Sequence, residues 1–172
     1  MAENATEKRI VVPELVPPSG GCLHIVRVPV ILDRPWQKAI NAAGPQHPEI
    51  YNVRKVGKQY PPTGKGTVET EMILMNFGPN SGSWDKAIAW ANQNRLKRTN
   101  PRQVFAVSEH KPQLHQEFGF DYMYVLATEE CVFENDRDAC GIWWSRFGRE
   151  ADLYWVDDCG CSNDWLAFLP PE

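Results

Sequence analysis

The densest set of ligand atoms in the chain is Asp157-Asp158-Cys159-Gly160-Cys161-Ser162-Asn163-Asp164. Cys131 and Cys140 join it if their strands form a hairpin about Asn135-Asp136, which would set the two thiols opposite each other. Four thiolates can hold zinc tetrahedrally, so Cys131, Cys140, Cys159 and Cys161 form one candidate metal set. Their spacing argues against it. Structural zinc usually takes two Cys-x-x-Cys-like knuckles, and an extended Cys-x-Cys pair points both side chains to one face without wrapping a metal. The aspartates lack the spacing of a calcium loop. A polar loop with two ordinary cysteines is the plainer reading, and no cofactor is expected.

Two other groups invite chemistry. Glu109, His110 and His115 are the acid/base-like set, but the histidines are five residues apart and Pro112 interrupts any helix between them. No nucleophile is fixed beside them, so no catalytic residue is named. Thr63-Gly64-Lys65-Gly66-Thr67 resembles a phosphate loop only superficially. The required earlier glycine is Gln59, Gly66 stands where Ser or Thr should follow the lysine, and a strand-like run, Val68–Met75, follows in place of a helix.

Charge is segregated along the chain. Residues 51–111 hold ten Lys/Arg against four Asp/Glu, and residues 112–172 hold three against thirteen. Arg95, Lys97, Arg98 and Arg102 surround the expected joint between two helices, where a helix N-terminus could meet a phosphate. A nucleic-acid contact at these four residues is therefore one alternative. It competes with the plainer expectation that basic helices and acidic sheet edges neutralise each other within one fold.

Aromatic residues supply the leading candidate. Four of the seven Trp, namely Trp143, Trp144, Trp155 and Trp165, fall between Tyr122 and Leu169. Trp143 and Trp144 are adjacent, so on a strand they face opposite sides. One side is expected to pack under helices. The other can leave a Trp among Tyr122, Tyr124 and Tyr154 on an open face, a contact surface for a protein or small-molecule partner. Trp143, Trp144, Tyr122 and Tyr154 are the candidate binding residues of a non-catalytic module.

The elements that must position these groups follow from punctuation and period. Residues 1–21 read as a flexible tail, with Pro17-Pro18-Ser19-Gly20-Gly21 as its end. A single α+β domain is expected over 22–172. Strands are expected at Leu23–Leu32, around Tyr51–Val56, and at Val68–Met75. Helices are expected at 34–43 with Asp33 as cap, at 84–98 with Ser83 as cap, and at 101–118 behind Asn100-Pro101. Val104-Phe105-Ala106-Val107 alone could equally be a strand. Tyr122–Leu169 reads as a C-terminal meander of consecutive antiparallel strands. The expected architecture is an antiparallel sheet of five or six strands with three helices mainly on one face. A polar N-terminus without an apolar core, the absence of a membrane-length apolar run, and an odd count of five Cys point to a cytoplasmic protein with reduced thiols.

Overall fold

A computed structural model describes residues 14–46, 51–80 and 82–172. Among these residues seven strands and five helices follow in the order β1 (Cys22–Ile31), α1 (Trp36–Ala43), α2 (Tyr51–Lys55), β2 (Thr67–Asn76), α3 (Trp84–Gln93), β3 (Lys97–Arg98), α4 (Pro101–His110), α5 (Leu114–Glu117), β4 (Met123–Phe133), β5 (Asp136–Ser145), β6 (Gly148–Trp155) and β7 (Asp164–Leu169). The α+β class agrees with the sequence. The sheet differs in being mixed rather than purely antiparallel.

Its strand order is β1-β2-β7-β4-β5-β6. β4, β5 and β6 form the expected meander. β7 leaves it and inserts between β2, antiparallel, and β4, parallel. The composition of β7 accounts for this. Trp165 and Ala167 are buried on one face of the sheet and Leu166 and Phe168 on the other. A strand apolar on both faces belongs at the centre of a covered sheet, whereas an edge strand tolerates alternation. Met72-Ile73-Leu74-Met75 of β2 is buried in the same two-sided way beside it.

Both faces are covered, so the helices do not all lie on one side. α1 and α4 pack on the face of Val28, Met72, Val125, Ile142 and Trp144. α3 covers the opposite face, where Trp84, Ala87 and Ala91 meet Ile73, Leu166 and Phe168. Leu15 packs against this second cluster, and Trp90 Nε1–H donates to the Val16 carbonyl at 3.0 Å, so these tail residues are tied to α3. Residues 1–13 of the expected tail lie outside the described residues.

Local signals explain most helix starts. Ser83 Oγ accepts from the Lys86 N–H at 3.1 Å. Asn100 accepts from the Arg102 N–H at 3.0 Å while Gln103 Oε1 accepts from the Asn100 N–H at 2.7 Å, a reciprocal cap with Pro101 opening α4. The stretch around Val104 is thereby helix. Asp33 does not cap α1, which starts after Pro35. Its carboxylate accepts from the Gly66 N–H at 3.2 Å and closes the loop before β2.

Two expected elements are corrected. Tyr51–Lys55 is a helical turn, not a strand. α3 ends at Gln93 rather than 98: Arg95 adopts φ 58°, Leu96 turns inward, and Lys97-Arg98 pair with β7. Within 101–118 the interruption expected at Pro112 is present, and the turn around it separates α4 from α5. β3 takes the place beside β7 that β4 gives up at its bulge after Leu126. There the Thr99 and Thr128 hydroxyls both donate to the Ala167 carbonyl, at 2.8 Å each, which satisfies that acceptor at the bulge.

Candidate functional site

The site grows from the end of the sheet where α5 runs into β4 and β5 turns into β6. Gly119, at φ 80°, reverses the chain after α5, and the Phe120 N–H returns to the His115 carbonyl at 2.8 Å. This swings Phe120, Asp121 and Tyr122 out before β4 begins. Across from them the Arg146-Phe147 turn closes the β5–β6 hairpin, Ser145 pairing with Gly148. Gly148 is required there: its φ is 126°, and a Cβ would lie 2.6 Å from the Gln46 side chain. The two loops enclose an open cleft of about 590 Å³ walled by His115, Phe120, Tyr122, Trp143, Arg146 and Phe147.

Two of its aromatic rings, Tyr122 and Phe147, stand outside the core, while Phe120 packs edge-on against Trp165. Phe147 is 70% exposed and Tyr122 55%. The Arg146 guanidinium lies over the Phe147 ring at 4.8 Å. Trp143 is half-buried and stacks on Tyr124 at 5.9 Å and 11°. Among the described residues its Nε1–H has no hydrogen-bond partner, and neither has Nδ1 of His115, which is 7% exposed. Burial lowers the pKa of His115 against the opposing charge of Asp121, which favours a neutral imidazole with one donor and one acceptor nitrogen. Unpaired buried polar atoms each cost about 1–3 kcal/mol, so two in one wall are notable.

The aromatic surface continues along the sheet. Tyr124 meets Tyr154 edge-on at 4.7 Å, and Glu150 and Asp152 of β6 border them. Burial, and then Glu150 and Asp138, raise the Asp152 carboxyl to about 6, opposed only by the Leu153 N–H. Folding therefore takes up a proton here. This contribution is fully present below the unfolded carboxyl's pKa of about 4 and is lost as pH rises through about 6. Asp152→Asn removes it. Urea midpoints from pH 4 to 8 should show the wild type losing about 1–2 kcal/mol relative to the variant across that window. Parallel pH profiles of the two proteins would contradict the assignment.

Of the sequence candidates, Trp143 and Tyr122 line the cleft. Trp144 does not: it is fully buried under the helices, with its Nε1–H donating to the Pro112 carbonyl at 3.2 Å. Tyr154 is half-buried on the neighbouring face, and its hydroxyl lies 3.0 Å from Asp164 Oδ2. His115 enters as a cleft wall rather than with His110, which sits on α4 and lies 3.7 Å from Glu109, itself held by Arg34 at 2.6 Å. Phe120, Arg146 and Phe147 were not singled out from sequence. The only signal was their position in turns beside strands, where an apolar residue is out of place.

The basic set does not converge. Arg102 is buried under Trp36, donating to the Tyr60 and Arg34 carbonyls, with its guanidinium 5.3 Å from the indole. Lys97 pairs with Glu172, Arg98 lies 3.8 Å from Glu130, and Arg95 is exposed on a turn. A joint between two helices does not exist here, because β3 occupies it.

The four thiols do not converge either. The β4–β5 turn is centred on Glu134 and Asn135, both at positive φ, so Cys131 faces Asp138 and Cys140 lies diagonal to it. Both are in the helix-side core beside Tyr60, and burial raises the Cys140 thiol. Cys159 is buried in the opposite cluster, also raised by burial, and Cys161 is exposed. Among the described residues no group of three or more metal-ligating side chains is placed around one point. The Cys-Gly-Cys loop instead wraps a fully buried carboxylate: Asp164 Oδ2 accepts from the Gly160 N–H at 2.9 Å and the Cys161 N–H at 3.2 Å. No protein-family model, curated protein or solved structure matched the chain.

Proposed function

We propose that the protein is a non-catalytic binding module whose ligand is a small molecule, or a short segment of a partner, with an aromatic or apolar group. The observation that carries this reading is the 590 Å³ cleft, of the size that small-molecule sites have, with the exposed rings of Tyr122 and Phe147 in its wall. Tyr122 and Phe147 stand exposed at its mouth, and Trp143 offers a ring already fixed by its stack on Tyr124. The unpaired Trp143 N–H and His115 Nδ1 provide polar groups that a ligand can satisfy once the wall adjusts. The reading places the module in the cytoplasm, consistent with five free thiols. Among the described residues no helix is long and apolar enough to cross a membrane.

Nuclear magnetic resonance with a library of aromatic fragments tests this. Binding fragments should shift the Trp143 indole N–H and the backbone amides of His115–Tyr122 and Trp143–Phe147. Phe147→Ala, on an exposed turn, should weaken them about tenfold without changing the fold. Fragments that shift other regions only, or an absence of any binding, would sink the proposal.

A further inference from the structure

We infer that the ligand of this cleft carries an anionic group, a phosphate or a carboxylate, at the end away from its aromatic ring. The inference rests on the binding reading above and concerns the chemistry of the second half of the same site. A smaller cavity of about 250 Å³ adjoins the aromatic cleft and shares His115, Gln116, Ser145 and Arg146 with it. The remaining wall of this smaller part includes Gln46, Gln113 and Arg149 and contains no carboxylate.

Its hydrogen-bonding capacity is weighted toward donors. Gln46 Oε1 is used by the Arg149 N–H at 3.2 Å, which leaves the Gln46 amide nitrogen to donate. Ser145 Oγ accepts from the Phe147 N–H at 3.1 Å, which leaves its hydroxyl proton to donate. The half-buried Arg149 guanidinium gives one nitrogen to the Ser108 carbonyl and hydroxyl, and burial lowers its pKa. Neither Arg149 nor Arg146 pairs with a carboxylate among the described residues. Two uncompensated guanidinium groups beside spare amide and hydroxyl donors favour an acceptor-rich anion, which arginine binds in a fork. Asp121 is the one acid of the larger part, so negative charge lies at the aromatic end and positive charge at the other. A ligand with its ring against Trp143 and its anion toward Arg146 and Arg149 matches that polarity.

The test uses two matched pairs on the full chain: adenosine with adenosine 5′-monophosphate, and indole with indole-3-acetate, followed by Trp143 chemical shifts and calorimetry. The anionic member of at least one pair should bind about tenfold or more tightly than its neutral partner. That advantage should shrink as salt is raised from about 0.05 M to about 0.5 M. The pair that shows the preference separates phosphate from carboxylate. Arg146→Glu, on the exposed turn, should abolish the preference, read as the ratio of anionic to neutral affinity within each pair. Arg149→Gln serves as a second variant after circular dichroism confirms its fold. Equal binding of neutral and anionic members would overturn this inference and leave the cleft reading standing. No binding by any of the four probes, together with failure of the fragment screen, would overturn both.

Discussion

Trp144→Ala should destabilise the protein by about 3–5 kcal/mol, whereas Trp143→Ala, one residue away, should cost about 1–2 kcal/mol and abolish cleft binding. Adjacent strand residues face opposite sides of a sheet, and here the two sides have different fates. Trp144 is 0% exposed in the cluster that also contains Ile142, Val125 and Trp165, and its truncation leaves a large cavity together with an unpaired Pro112 carbonyl. A domain of this size has about 5–15 kcal/mol of stability in total, so the variant should be marginal or unfolded at physiological temperature. Trp143 has an open cleft on one side and Tyr124 on the other, so less contact is lost. Urea denaturation followed by circular dichroism measures both. Equal losses for the two variants would mean that the Trp143 ring is core as well, and the cleft would lose its main wall.

Arg102→Ala should cost about 2–4 kcal/mol, while Lys97→Ala should stay within about 0.5 kcal/mol. Arg102 is 6% exposed and carries an arginine's full set of donors into the interface between α1, α4 and the Tyr60 turn. Its removal strands the Arg34 and Tyr60 carbonyls and the face of Trp36 at once. Arg102→Met keeps most of the stem and should recover the packing share alone. Lys97 instead makes an exposed ion pair with Glu172, which solvent and salt weaken. Comparable urea midpoints for Arg102→Ala and Lys97→Ala would show that Arg102 is solvated in solution and available to an external phosphate.

Sequence reading captured what is local. Asn100-Pro101 and Ser83 carry their capping chemistry within a few residues, and the structure uses both. The β4–β5–β6 strands are likewise visible from period and turn residues. What escaped is what depends on distant partners. Leu96, Lys97 and Arg98 continue a helical pattern, and only pairing with Leu169 and Phe168 makes Lys97-Arg98 a strand. β7 reads as the last strand of a meander because neighbours in sequence usually pair, yet its unbroken run Trp165-Leu166-Ala167-Phe168 carries the sign of a central strand. The cleft was half legible. Trp143 and Tyr122 stood out by type, but His115 and Arg146 meet only because α5 and the β5–β6 turn end at the same rim.

The position of β7 also governs how the molecule can be made. β1 and β2 pair with each other in the first half of the chain, and β4, β5 and β6 pair in sequence in the second. Until residues 164–169 emerge, these two halves have no shared strand, and β2 and β4 each present an open apolar edge. The sheet is therefore continuous only once residues 164–169 join the two halves. Changes in Trp165–Phe168 should reduce the yield of soluble protein in cells more than their equilibrium cost alone would suggest.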